Sequence, residues 1–176
     1  MSETTYVVRP DAQPGFVTTE AAYREFARAA RLRPLIATQL RRLHGGADVV
    51  AVGAYIRTAY FDAEVPAGIV AAIDQACARL GGPETEFVVG GVVTADQLDE
   101  FLTGPHEVFV GVQGKPALLA AVKRCWASLF SDRAIIYREV RDIDHLSVTL
   151  AIRVEPMNAL SVGQSTVAEL QNVPSG

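Results

Sequence analysis

The spacing of apolar residues changes at Glu86, and this change restricts the chain to a fold that combines helices with a small sheet. Before Glu86, apolar side chains recur every three or four positions, which is the spacing of amphipathic helices. After it, Phe87 to Val93 is a continuous apolar run rich in valine, as in a strand that is buried on both faces. The sequence therefore predicts an α+β fold, with a helix-rich N-terminal half and a small mixed or antiparallel sheet.

Helix and strand boundaries follow from the same spacing. Thr18-Thr19 and Asp48 are placed to cap two of the first four helices, and Ser131-Asp132 begins a later one. The predicted helices cover residues 20–31, 34–44, 49–60, 69–80, 96–102, 116–130 and 132–138. The predicted strands cover residues 86–93, 107–113 and 146–154. We expect one domain over residues 14–163, an irregular segment at 1–13 and a weakly patterned tail at 164–176.

Composition excludes several classes of protein. With 176 residues, of which 49% are hydrophobic, the chain is long enough to bury one core. Its 16 basic and 20 acidic residues give a net charge of -4 without a run of Lys or Arg, which argues against nucleic acid or an anionic membrane as a partner. No stretch approaches the roughly 18 apolar residues of a membrane span, and no targeting signal is visible. We therefore expect a cytoplasmic protein.

The cysteines and histidines indicate neither a disulfide nor a metal site. Cys77 and Cys125 both fall within apolar helical stripes, which favours buried, reduced thiols. His44, His106 and His145 are dispersed and lack the paired spacing of a zinc site. We therefore expect no metal and no cofactor.

The run KRCWASLFSDRAIIYR at Lys123–Arg138 strongly resembles the N-terminal nucleotide-binding region of phosphoenolpyruvate synthases, pyruvate phosphate dikinases and rifampin phosphotransferases. Three further pieces occur in the family's order, namely PGFVTTEAAY at 14–23, DHLSV at 144–148 and LSVG at 160–163. This resemblance covers the whole predicted domain and implies the N-terminal lobe of an ATP-grasp fold. It also implies that the second lobe, with its acidic magnesium ligands, would lie beyond Gly176, so the sequence resembles a degenerate, free-standing lobe.

The departures from the family's pattern fall where the family contacts ATP. The resemblance implies a lysine near the start of the chain, but no lysine precedes Lys115. It implies an Arg-Ser-Ser triplet on phosphate where this chain has Val89-Gly90-Gly91, and valine cannot donate a hydrogen bond. At the hinge strand that meets adenine, Val154-Glu155-Pro156-Met157 puts a carboxylate in place of an amide and a proline in place of a backbone donor. Phosphoryl transfer depends on neutralising phosphate charge, so we expect it to be absent.

If the family's cleft is retained, these substitutions make its floor apolar. We expect the ligand-binding residues to be Val89, Gly90, Gly91, Val92 and Tyr137. The glycine pair is interpreted as a place where another side chain packs close to the strand, because no helix signature or basic partner follows it. The titratable groups expected to act as general acids or bases are His106, Glu107, Asp96 and Glu155.

Two functions of different classes are consistent with this pattern. In the first, the lobe binds a small, largely apolar molecule in the former nucleotide cleft and catalyses a cofactor-free isomerisation, elimination or cyclisation in biosynthesis. In the second, it is a non-catalytic regulatory or partner subunit that docks another chain, or a second copy, through the face left by the absent second lobe. Half of a split ATP-grasp protein is a further form of this second reading.

Overall fold

The computed structural model describes residues 8–10, 14–92 and 107–158. The strands in these ranges are β1 (Val8–Pro10), β2 (Phe16–Thr18), β3 (Glu86–Val92), β4 (Val108–Gln113) and β5 (Ala151–Pro156). The helices are α1 (Glu20–Ala29), α2 (Leu32–His44), α3 (Val49–Asp62), α4 (Ala67–Leu80), α5 (Lys115–Ala127) and α6 (Asp132–Arg141). A 3-10 turn at Ser128–Phe130 joins α5 to α6. Within these ranges, no helix is long and apolar enough to span a bilayer.

The strands form one antiparallel sheet in the order β1-β2-β5-β3-β4. In the middle strand β5, Val154 lies opposite Phe16 on one side and Val89 on the other. These three side chains are buried in the same core as the helices, and α5 packs on β3, β4 and β5. We call this side of the sheet the inner face and the opposite side the outer face. The predicted α+β class is therefore confirmed.

Two parts of the sheet differ from the sequence prediction. Val8–Pro10 pairs with Phe16–Thr18, although the sequence favours an irregular segment there. The last strand begins at Ala151 rather than at residue 146, because residues 145–147 form a turn. In that turn the Asp144 carboxylate accepts a hydrogen bond from the Leu146 N–H at 2.9 Å. The helix expected at 96–102, the LSVG piece at 160–163 and the tail lie outside the described residues.

Side-chain caps begin the helices where the sequence predicts them. Thr19 Oγ1 accepts from the Ala22 N–H at the start of α1, and Asp48 Oδ2 accepts from the Ala51 N–H at the start of α3. Each cap satisfies a backbone donor that the first helical turn leaves without an intrahelical partner. Ser131 does the same for α6.

The core is centred on Trp126, which is fully buried. Its indole stacks on the Phe26 ring at 4.8 Å between centroids and meets the edge of the Tyr23 ring at 6.0 Å. The indole N–H donates to the Leu150 carbonyl at 3.1 Å. Trp126 therefore connects α1, α5 and the segment leading into β5.

A polar network is buried beside this core. Arg138 is fully buried, donates from Nε to His145 Nδ1 at 2.9 Å, and donates to the Leu129 carbonyl. His145 Nε2 lies 2.7 Å from Glu139 Oε1, and the other oxygen of Glu139 lies 3.1 Å from His44 Nε2. The network joins the end of α2, helix α6 and the turn before β5.

Candidate functional site

The outer face of the sheet carries some of the residues that the resemblance assigns to the nucleotide cleft. Successive side chains of a strand point to opposite faces, so Val88, Gly90 and Val92 of β3 share one face while Val89 points to the other. Val88 lies opposite Glu155 of β5 and Gly90 lies opposite Arg153. The outer face is therefore formed in part by alternate residues of β3 and β5.

Val89 is not part of this face. Its side chain has no exposed surface and belongs to the core beneath the helices. A ligand on the outer face cannot contact it, which corrects the expectation that Val89 lines the cleft. Gly91, like Val89, is at an inward position of β3, opposite the buried Ile152, whereas Gly90 and Val92 occupy outward positions and are half-buried.

Gly90 makes room for a side chain of the neighbouring strand. A Cβ at this position would lie 3.3 Å from Val108 Cγ2, so the glycine lets the Val108 isopropyl group lie over β3. This observation agrees with the interpretation of the glycine pair as a place of close packing. Val108 and Val110 remain 61% and 65% exposed. The outer face near β4 is therefore apolar.

Glu155 is the expected titratable residue that does lie on the outer face. Its Oε1 atom is 2.8 Å from Arg153 Nε, and the Glu155 side chain is only 13% exposed. Oε1 is buried and makes no aligned hydrogen bond, so the ion pair is the interaction that offsets its burial. Because the charges of Arg153 and Glu155 cancel, β5 contributes no net charge to this part of the outer face.

Gly15 holds the start of β2 close to this ion pair. A Cβ on Gly15 would lie 2.7 Å from the Val154 carbonyl oxygen and 3.1 Å from Glu155 Cγ. The Pro14-Gly15 turn therefore needs glycine because the chain passes directly over the backbone of β5.

Replacing Gly15 by alanine is expected to destabilise the fold by about 1–3 kcal/mol, because the added methyl group overlaps a backbone atom that cannot rotate away. The measurement is urea unfolding followed by the fluorescence of Trp126, the single tryptophan. Gly68→Ala is the matched control, because no atom lies within 4 Å of that Cβ position and alanine favours the helix. Equal stability of the two variants would contradict the close approach.

Glu107 lies on the opposite side of the sheet from Glu155. Its carboxylate pairs with Arg124 of α5 at 3.5 Å, and the Arg124 guanidinium lies 4.7 Å above the Phe109 ring. Phe109 is opposite the buried Val89, so these groups belong to the helix-covered side. The structure therefore does not bring Glu107 and Glu155 together in one acid-base site.

The other expected site residues are placed apart or lie outside the described residues. Tyr137 is on α6, which packs on α3 and the 3-10 turn, and its ring lies 5.1 Å from the Arg141 guanidinium. His106 and Asp96 lie outside the described residues. Cys77 and Cys125 are free thiols, half-buried and buried respectively, and burial raises the pKa of each to about 12. Such thiols are poor nucleophiles at neutral pH.

Both lysines of the chain are engaged on α5, away from the outer face. Lys115 Nζ lies 2.6 Å from Asp74 Oδ2, and Lys123 Nζ donates to the carbonyls of Phe61 and Ala63 at the end of α3. Neither is available to a phosphate group on β3 or β5.

Three cavities open on other parts of the described surface. The largest, about 720 Å³, lies between the end of α1 and the start of α4. A second, of about 300 Å³, is lined by Cys77, Phe87 and Leu118. The third, of about 280 Å³, lies between α1, α2 and residues 145–149. Lys115 and Asp74 separate the first two, and none of the three is lined by the outward residues of β3.

Nothing in the spacing of His44, Glu139 and His145 predicts that both histidines contact the Glu139 carboxylate. Glu139 and His145 are close in the sequence, but His44 is 95 residues before Glu139, so only the tertiary fold brings His44 to the same carboxylate. The hydrogen bond to His145 helps to lower the pKa of Glu139 against the opposing effect of burial. Burial lowers the pKa of His145, so its neutral form is favoured.

Comparison with known proteins identifies the fold family. Residues 5–167 match the family described as "Pyruvate phosphate dikinase, AMP/ATP-binding domain". This chain belongs to that family. A phosphoenolpyruvate synthase of Pseudomonas aeruginosa is 36% identical over 168 residues, which cover 92% of this chain and 21% of the relative. A probable phosphoenolpyruvate synthase of Methanothermobacter thermautotrophicus is 34% identical over 151 residues, or 82% and 22% of the two chains.

A third relative carries a different name. A rifampicin phosphotransferase of Streptomyces sviceus is 33% identical over 149 residues, which cover 81% of this chain and 17% of the relative. The chain thus spans about a fifth of the length of these AMP/ATP-binding-domain relatives. The comparisons support the domain family that the run at Lys123–Arg138 resembles.

Proposed function

We propose that this chain is an AMP/ATP-binding-domain relative that does not transfer phosphoryl groups, and that it binds a small, largely apolar molecule on the outer face of its sheet. The observation that carries this proposal is that the arginine of β5 and both lysines are already engaged by other groups of the protein. Arg153, the cation of β5 on that face, is neutralised by Glu155 at 2.8 Å, and both lysines are held on α5.

The sequence between the strands adds no basic group. Residues 93–106 join β3 to β4 and contain Asp96, Asp99 and Glu100 but no lysine or arginine. Residues 1–7 and 159–176 contain none either. Apart from Arg153, the described strands contain one lysine or arginine. It is Arg9 of β1, which lies opposite Val17 of β2. A triphosphate needs several donors and cations to hold it in position for transfer, so this charge balance disfavours it.

The apolar character of the face supports a different ligand. Val108 lies over Gly90, and Val110 is exposed on the same strand. Burying these exposed side chains under an apolar ligand gains about 25 cal/mol for each Å² removed from water. Because Glu155 places a carboxylate on the same face, opposite Val88, a cofactor-free proton transfer is the reaction that the face could assist.

The test is isothermal titration calorimetry with ATP and magnesium, followed by a panel of neutral apolar metabolites. We expect no ATP binding tighter than about 1 mM and at least one apolar ligand tighter than about 100 μM. Val108→Asp should weaken that ligand about tenfold or more, because it places a charge in the apolar patch. Val140→Asp is the matched control, since Val140 is 77% exposed on α6 and lies outside the sheet.

Three outcomes would overturn the proposal. ATP with magnesium binding tighter than about 100 μM would restore a nucleotide function. The absence of any apolar ligand would remove the proposed site. Equal effects of the two valine variants would place the ligand elsewhere.

A protein partner is the second candidate use of the same face. The exposed Val108 and Val110 lie on β4, the last strand in the described sheet order, where another chain could add its own contacts. Sedimentation velocity distinguishes this use: a dimer that Val108→Asp dissociates and Val140→Asp does not would favour docking over ligand binding.

A further inference from the structure

The cavity of about 280 Å³ between α1, α2 and residues 145–149 has a lining that suggests a ligand. Its apolar floor is formed by four buried side chains, those of Ala27, Ile36, Phe130 and Val148. This volume lies just below the roughly 300–1,000 Å³ of typical ligand pockets, so it suits a molecule smaller than a nucleotide.

Three arginines line the rim of this cavity, two of them on α1. Arg24 pairs with Glu20 at 2.9 Å, and Arg28 holds both oxygens of Glu25 at 2.7 and 3.0 Å. Within each pair the two charges cancel, and exposed ion pairs of this kind contribute little stability in water. They leave guanidinium groups at the mouth of the cavity without adding net charge.

Arg33, at the start of α2, gives the rim its positive excess. Its Nη1 donates to the Leu146 carbonyl at 2.9 Å, which is a neutral acceptor. Among the lining arginines and the glutamates paired with them, three positive charges face two negative ones, and the excess is the charge of Arg33. An anionic group beside Arg33 would gain both charge neutralisation and the free donors of a guanidinium fork.

The imidazole of His145 and the phenol of Tyr23, which also line the cavity, have no N–H to offer a ligand. His145 Nδ1 accepts from Arg138, so the proton of its neutral ring is on Nε2, where Glu139 accepts it. The Tyr23 hydroxyl is bonded to that of Tyr60 at 2.8 Å. A ligand entering this cavity therefore finds guanidinium donors for its polar end at the rim and apolar side chains for its other end on the floor.

We propose that this cavity binds a small apolar monocarboxylate. The carboxylate lies at Arg33, and the hydrocarbon part rests on Ile36, Phe130 and Val148. A single negative charge matches the single positive excess of the rim, and the cavity volume limits the ligand to about the size of a phenylalkanoic acid. The site lies on the helix-covered side of the molecule and is independent of the function proposed for the outer face.

The experiment uses 3-phenylpropanoate as the probe and 3-phenylpropanamide as its neutral counterpart, with binding to the full chain followed by NMR chemical shifts. We expect the acid to bind with a dissociation constant below about 1 mM, and the amide at least about tenfold more weakly. Affinity for the acid should also fall as salt rises, because the contact with Arg33 is exposed to screening.

Arg33→Met should weaken the acid about tenfold and leave the amide unchanged. Arg41→Met is the matched control, since Arg41 is exposed on the same helix and bonds Thr38 outside the cavity. Because Arg33 also holds the Leu146 carbonyl, the melting temperature of each variant is measured. Arg28→Met provides a second rim variant that does not touch residues 145–149 and should weaken the acid less than Arg33→Met does.

Several results would overturn the proposal. One is equal affinity for the acid and the amide, and another is an equal loss of affinity for the acid in Arg33→Met and Arg41→Met. A third is that no straight-chain or aryl carboxylate of four to about ten carbons binds. NMR chemical-shift changes confined to residues outside α1, α2 and 145–149 would also overturn it, because they would place the carboxylate elsewhere.

Discussion

Replacing Val89 by arginine is expected to destabilise the fold by about 3–5 kcal/mol or more, a large share of the 5–15 kcal/mol that holds a typical domain together. Val89 is fully buried beneath the helices, between Val154 of β5 and Phe109 of β4. A guanidinium there would lose its water without gaining a partner, and its larger volume would strain the core. The measurement is urea unfolding monitored by the fluorescence of Trp126.

Val88→Arg is the matched control for this prediction. Val88 is the next residue along the strand, but it points to the outer face and lies opposite Glu155. An arginine at this position gains an opposite charge across the strands, which is worth about 0.2–1 kcal/mol. We expect Val88→Arg to keep the fold within about 1 kcal/mol of the parent. Similar losses in both variants would contradict the assignment of the two faces.

The same pair of residues shows where sequence analysis reaches its limit. A strand that alternates apolar and polar residues reveals which face is buried, because the side-chain period is two. The run Phe87–Val93 is apolar at nearly every position, so it predicts a strand but cannot indicate which valines face the helices. The resemblance to the Arg-Ser-Ser triplet therefore predicts that Val89 lines the cleft, whereas the fold places it in the core.

Features encoded by local chemistry could be predicted from the sequence. Helices α1 and α3 begin at Thr19 and Asp48 because each side chain accepts a hydrogen bond from the first helical turn. Their apolar stripes also predict which sides pack inward. By contrast, the strand Val8–Pro10 is too short to have a period of its own, and it forms because β2 lies alongside it.

Sites built from distant segments could not be predicted in this way. The rim of the proposed carboxylate cavity joins Arg28 of α1 to Arg33 of α2, and its wall includes Leu146 from over a hundred residues later. In the sequence these arginines have the spacing of ordinary solvated helix faces. Only the docking of residues 145–149 against α1 and α2 turns them into one rim.

Replacing Trp126 by alanine is expected to cost about 3–5 kcal/mol, because it removes the largest fully buried side chain and leaves a cavity among aromatic rings. The Phe26 stack at 4.8 Å and the Tyr23 edge contact are lost together. For a domain of this length, the loss corresponds to a fall in melting temperature of roughly 10 °C. Far-UV circular dichroism follows the unfolding, since the variant has no tryptophan.

Trp126→Phe separates packing from hydrogen bonding at this position. The phenyl ring retains most of the contact with Phe26 but leaves the buried Leu150 carbonyl without the indole donor that lies 3.1 Å away. An unsatisfied buried acceptor costs about 1–3 kcal/mol, so this variant should be intermediate between the parent and Trp126→Ala. Val140→Ala, on the exposed side of α6, should stay within about 0.5 kcal/mol of the parent. If Trp126→Phe matched the parent, the hydrogen bond would contribute nothing, and the connection between α5 and the segment before β5 would rest on packing alone.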